Sequence, residues 1–322
     1  MKIHLPHGAF LGNIDQFIQG FDPNEPEKLI ITAADKWMWV HPMVLSMITT
    51  LALNITKQNI QCQRITAKSG HYLERMGLFK FLGVNSGMNI IEHESSGRFI
   101  PLTQIKNSTE LTKFITEMIP LLHLEPRQAE PIRYIVSELV RNVLEHAQTK
   151  DGAIVCAQYF KKSNMIRFGI ADTGIGIKKS LSRFHSTSDD IEAIKLALMP
   201  GITGTTSREG GTELNAGAGL FFIKSIAYVN HNFFVIYSGS GMYKLFSKQK
   251  LKEGIILHAN PDLDRHSDKN NLPKWNGTII GIDISLDSTG EFNGLLDLIR
   301  NVYTKAIRER KERKYKKQPR FI

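Results

Sequence analysis

The stretch Glu138-Leu139-Val140-Arg141-Asn142 sits inside a run, residues 131–147, in which Ile132, Ile135, Val136, Leu139, Val140, Val143 and Leu144 recur every three or four positions. That spacing predicts an amphipathic helix with one apolar stripe. Glu138, Asn142 and His146 fall at i, i+4 and i+8, so they project as a second stripe beside it. A carboxylate and an amide oxygen one turn apart suit a water and a hard, oxygen-seeking cation such as Mg²⁺. A solvated polar face with a neutral amide is the simpler account of this helix taken alone.

Two further segments lie downstream. Residues 164–170 alternate in character like a strand and deliver Asp172 into Asp172-Thr173-Gly174-Ile175-Gly176. Glycine allows positive φ and lets a flat ligand lie against the backbone, while Asp172 can accept a hydrogen bond from an exocyclic amine such as adenine's. Any tight strand-to-helix turn can share this pattern. Residues 201–219 then carry Gly201, Gly204, Gly210, Gly211, Gly217 and Gly219, interspersed with Thr203, Thr205, Thr206, Ser207 and Thr212. They open an apolar run, 220–229, that reads as a helix. A glycine-rich segment at a helix start offers free N–H groups and a positive dipole end to phosphate; a surface loop is the alternative. The order of the three pieces suits a magnesium nucleotide.

Glu138-x-x-x-Asn142, Asp172-x-Gly174-x-Gly176 and Gly217-x-Gly219-Leu220 resemble the N, G1 and G2 boxes of the GHKL superfamily. That superfamily holds gyrase, heat-shock chaperones, mismatch-repair ATPases, histidine kinases and anti-sigma-factor serine kinases. The resemblance covers residues 125–290 and implies a Bergerat-type α/β domain, an α+β two-layer sandwich with a mixed sheet backed by helices. It further implies ATP and Mg²⁺ as cofactors. Asn142 would bind the metal, Asp172 the adenine amine, and Gly174 and Gly176 would shape that pocket. Gly217, Gly219 and Leu220 would lie against the phosphates, with 201–216, including Thr205 and Thr206, as a mobile lid. Glu138 matches the position that activates the attacking water or hydroxyl. Trp275-Asn276-Gly277-Thr278 leads into strand-like 279–284, and Thr278 matches the Gly-Thr that supports the adenine-binding acid.

Details separate the subfamilies. Histidine kinases carry Lys three residues after the Asn, whereas this chain has Glu145 and then His146, a pattern more similar to the anti-sigma serine kinases. His93-Glu94 is the only His-acid dipeptide upstream and lies in loop-like sequence, which argues against an autophosphorylating histidine kinase. About 35 residues follow Ile284, too few for the transducer domain of gyrase-like enzymes.

With 322 residues the chain can bury a large core, and two domains are expected. No apolar stretch approaches the roughly 18–20 residues of a membrane span, and the start lacks a signal-peptide core, so a cytoplasmic protein without a membrane contact is expected. Cys62 and Cys156 form no spaced motif, and the eleven histidines show no paired-ligand spacing, so no zinc is expected. Net charge is +10, of which the segment from Lys305 to Ile322 holds nine Lys or Arg against two Glu. The basic tail, Lys305 to Arg320, could neutralise nucleic-acid phosphates or dock on an acidic protein; a solvated helix end is the simpler alternative.

Residues 1–110 read as a separate α/β unit, with strands at 29–32 and 60–65 and helices at 41–56 and 71–78. Residues 72–83 resemble the late helix of STAS-type antagonist domains. Where those carry an Asp-Ser-Ser-Gly phosphoacceptor, this chain has Trp39-Val40-His41-Pro42-Met43, which implies a docking or sensing scaffold instead. Residues 111–124 connect the units, 259–274 read as an exposed polar insertion, 233–237 and 242–246 as a hairpin, and 291–322 as a helix with the basic tail. The expected function is a Mg-dependent ATPase acting as a conformational switch on a regulatory protein partner; relatives allow a homodimer. A partner-switching serine/threonine kinase and a nucleotide-gated module with negligible turnover are the alternatives.

Overall fold

A computed structural model describes residues 1–67, 69–88, 99–206, 217–246, 256–286 and 292–316, the side chains of 314–316 excepted. The first part holds β1 (Lys2–Leu5), β2 (Gly8–Ala9), α1 (Ile14–Gln19), β3 (Leu29–Ala33), β4 (Trp39–Val40), α2 (Pro42–Leu53), β5 (Ile60–Cys62), α3 (Gly70–Arg75) and α4 (Leu78–Leu82). There follow β6 (Phe99–Ile105), α5 (Ser108–Lys113), α6 (Pro126–His146), β7 (Ala153–Phe160), β8 (Met165–Ala171), α7 (Gly176–Leu181) and α8 (Asp190–Ala197). The remainder is α9 (Gly219–Val229), β9 (Phe234–Gly239), β10 (Gly241–Leu245), β11 (His266–Lys269), β12 (Trp275–Ser285) and α10 (Phe292–Lys316).

The class is mixed α/β. A three-stranded parallel sheet, β1-β3-β5, belongs to the first part. The larger sheet has seven strands in the order β11-β10-β9-β12-β8-β7-β6, and every pairing in it is antiparallel, which corrects the mixed sheet expected. Side chains alternate between its faces. Val155, Ala157, Phe168 and Ile170 join a core with Ile135, Leu139 and Val143 of α6, Phe221 and Ile226 of α9 and Ile299 of α10. Ile154, Cys156, Ala171, Val235 and Tyr237 join a second core with α2 and the small sheet.

The two-layer expectation is therefore replaced by a large sheet covered on both faces. On the second face Cys156, Gly169 and Gly281 are cross-strand neighbours. A Cβ at Gly169 would lie 2.2 Å from the Met43 nitrogen, and one at Gly281 2.8 Å from Met43 Sδ, so these small residues make the groove in which the head of α2 lies. Nearly every α2 side chain is buried, as expected of a helix packed on all sides. His41 caps it: Nδ1 accepts from the Met43 N–H, and Nε2 stands 3.1 Å from Asp283 Oδ1 on β12. With both ring nitrogens engaged in the core, burial holds this imidazole below its usual pKa.

Several sequence boundaries move. Residues 99–105, read as the end of the first unit, form an edge strand of the large sheet. The connecting segment buries Leu111, Phe114, Ile119 and Leu122 in the first of the two cores. The helix expected at 71–78 is two helices divided at Gly77, and the strand at 60–65 stops at Cys62. The polar insertion 259–274 contains β11, paired with β10, and Asp264, which is buried in an ion pair with Lys224 of α9. The hairpin is present as β9-β10. No described helix is long and apolar enough to cross a membrane.

Candidate functional site

On the first face of the sheet α6 sets its polar stripe beside the start of α9. A Cβ at Gly219 would lie 2.8 Å from Glu138 Oε2 and 3.4 Å from Asn142 Nδ2. The positive end of α9 is thus directed at an acid and an amide. Arg141 Nη1 stands 3.5 Å from Glu138 Oε1. Burial pushes the Glu138 carboxyl up; Arg141 partly opposes this and Glu145 adds to it. Asn142 Nδ2 is buried and has no hydrogen-bond partner among the described residues. A buried amide without a partner is expensive, which marks this position as one where a ligand or water would complete the bonding.

Asp172 leaves the end of β8 with 2 % of its surface exposed. Its backbone is held twice and its side chain once: its N–H donates to Thr278 O (3.0 Å), its carbonyl accepts from Trp275 Nε1 (3.0 Å), and its Oδ1 accepts from the Gly174 N–H (2.7 Å). Gly277 makes this packing available: at φ +108° a Cβ there would lie 2.2 Å from the Asp172 carbonyl oxygen and 2.7 Å from Oδ1. Ser238 ties the same corner together, donating to Gly277 O (2.7 Å) and accepting from the Ile177 N–H (3.0 Å).

Glu138, Asn142, Asp172, Gly176, Gly217, Gly219, Leu220 and Thr278 line one cavity of about 360 Å³. Ile170, Ile177, Leu181, Ala218 and Ile280 supply apolar lining to the same cavity. Its volume falls within the roughly 300–1,000 Å³ usual for ligand pockets. Gly217 is held in place: its carbonyl accepts from the Gly201 N–H (3.0 Å), and at φ +63° a Cβ would lie 2.5 Å from Ile202 O. The two ends of the glycine-rich segment are therefore pinned to each other; Ser207, Gly210, Gly211 and Thr212 lie outside the described residues.

Other sequence-derived positions are elsewhere. Gly174 does not line the cavity; a Cβ there would meet the Ala147 carbonyl at 2.1 Å, so it seats the turn on the end of α6. Thr203 and Gly204 line the cavity, whereas Thr205 does not and engages the Thr203 hydroxyl instead (3.1 Å). Thr206 is likewise absent from the lining. The Thr278 hydroxyl points to Ser238 Oγ (3.3 Å), so Thr278 supports Asp172 through its backbone. Ser238 carries no signal in the sequence, and Trp275 stands out only as the neighbour of the Gly-Thr pair; their bonds to Ile177 and Asp172 span 61 and 103 positions, beyond the reach of local pattern.

Burial pushes Asp172 up to about 7, while the backbone of Gly174 and Thr278 pulls it down. The carboxyl binds its proton more tightly folded than unfolded, so stability falls as pH rises from the ordinary 3.8 toward 7. Thermal melts of the nucleotide-free protein are expected to show that decline, and the Asp172→Asn variant to lack the part due to this group.

No group of three or more His, Cys, Asp or Glu suited to a metal occurs among the described residues. One amide and one carboxylate suit a cation that keeps waters and relies on phosphate oxygens, as Mg²⁺ does, and not a caged metal. Compared with protein-family models and with curated proteins, the chain matches none.

Proposed function

We propose that the chain is a Mg-dependent ATP-binding protein of the GHKL type, with a Bergerat-like ATP domain, whose ATPase activity switches the state of a regulatory protein partner. The observation that carries this reading is the convergence of Glu138, Asn142, Asp172, Gly217 and Gly219 on one cavity. Asp172 in its lining has a carboxyl suited to an exocyclic amine, and Ile170 and Ile280 offer apolar surface to a flat ring. Gly217 and Gly219, with the N-terminus of α9, supply backbone donors for phosphate.

Asn142 would hold Mg²⁺, whose chemistry when bound is to neutralise charge on the phosphate oxygens. Glu138, with its carboxyl pushed upward by burial, is poised to accept a proton from an attacking water. In the transfer the water oxygen forms a bond to the γ-phosphorus, the bridging oxygen leaves with the diphosphate, and the proton goes to the Glu138 carboxylate. A hydroxyl of a partner's serine or threonine could take the place of water at the same position.

Incubation with γ-labelled ATP, alone and with protein from the native host, tests the reading. Free labelled phosphate in a Mg-dependent yield is the expected result. Label transferred to a protein would make the chain a kinase, and nucleotide binding without either product would make it a gated binding module.

A further inference from the structure

Two of the three tryptophans in the chain, both in its first part, are exposed. Trp37 and Trp39 are 54 % and 55 % exposed, whereas Trp275 is 2 % exposed. Met38 between them is 2 % exposed, so the segment turns its methionine inward and leaves both indoles at the surface. Both are braced. Trp37 lies against the His7 ring, 5.2 Å between centroids, and its carbonyl is 2.8 Å from His7 Nδ1. Trp39 packs edge-on against Phe10 and Phe160, at 5.9 and 6.1 Å.

Cations border these rings. The Arg167 guanidinium is sandwiched between Phe160 and Phe10, 4.2 and 4.6 Å from their centroids. Its Nη1 is buried with no hydrogen-bond partner among the described residues. Exposed Lys161 and Lys162 follow Phe160, and exposed Lys36 precedes Trp37. The large hydrophobic side chains exposed here are the two indoles themselves, with no aliphatic side chain among them.

We propose that this face binds single-stranded nucleic acid, stacking unpaired bases on Trp37 and Trp39 and placing phosphates against Lys36, Lys161 and Lys162. Braced rings offer a stacking surface at little conformational cost, and every base has a flat face to use it. The ligand must combine planar groups with regularly spaced negative charge, because the surface combines exposed π-faces with a cationic border. A protein partner that used only apolar contact would leave the lysines unpaired, and an acidic peptide would leave the indoles unused. This site is separate from the nucleotide cavity and independent of its reading.

Because Trp275 is buried, emission from the other two tryptophans reports on this face. The full chain is titrated with oligo(dT) and oligo(rU) of about ten nucleotides while emission is followed. Saturable quenching is expected in the wild type, and the anisotropy of a fluorescein-labelled oligonucleotide, which needs no tryptophan, is expected to show at least tenfold weaker binding to a Trp37→Ala, Trp39→Ala double variant. A Lys161→Ala, Lys162→Ala variant, which leaves the rings intact, is expected to reduce the slope of log K against log salt by about 1.4. Equal oligonucleotide binding by the double-Trp variant would overturn the proposal in favour of the basic tail. Absence of quenching by oligonucleotide, with quenching instead by phosphatidylglycerol vesicles or by self-association, would overturn it as well.

Discussion

Replacement of Asp172 by Asn is expected to lower ATP affinity by about 10⁴-fold while leaving the fold in place. The Asn carbonyl can still accept from the Gly174 N–H that Asp172 Oδ1 accepts now, at 2.7 Å. The second terminal atom changes from acceptor to donor, so an adenine amine would meet another N–H in a site with 2 % exposure to water. A site built to hydrogen-bond one ligand group discriminates by roughly 10⁴–10⁵ when the complement is lost, because the buried partners have no solvent to turn to. Calorimetric titration checks this, with GTP, which carries an acceptor at the corresponding ring position, expected to be rejected by the wild type. An amine donor also favours the ionised carboxyl. ATP affinity in the wild type should therefore rise with pH through the region near 7, where Asp172 titrates. Undiminished affinity in Asp172→Asn would place the adenine elsewhere.

Glu138→Gln is expected to bind ATP as the wild type does and to release phosphate at least about 10²-fold more slowly, the usual cost of losing a general base. Gln keeps the shape of the side chain beside Gly219 but cannot take a proton. The ion pair with Arg141, 3.5 Å long and more than half exposed on the arginine side, contributes little, so stability should hardly change. Single-turnover phosphate release measured at saturating ATP separates the chemical step from binding. An unchanged rate would remove Glu138 from the reaction and transfer the role of base to solvent or to another group.

The ordering of the three motifs could be read from the chain because each is local. Apolar residues at three- and four-residue spacing place Glu138 and Asn142 on one stripe of α6, and the helix observed, Pro126–His146, contains both. Glycines at alternate positions mark the turn after β8 and the start of α9. The register of β11 was not legible: His266-Ser267-Asp268-Lys269 has neither β-branched residues nor alternation, and pairing with β10 forms it. Asp264 read as loop for the same reason, since its burial depends on Lys224, 40 positions away.

What the sequence alone determined about this protein are the properties of near neighbours: helix faces, strand ends, and the glycines where the chain must turn or be approached closely. Tertiary structure alone decided that the large sheet is covered on both faces, that Gly169 and Gly281 receive the head of α2, and that Trp275 and Gly277 hold Asp172 from about a hundred residues away. The reason is physical. Local periodicity records which side chains share a surface of one element, whereas the partner of that surface is set by shape and buried area among elements distant in the chain.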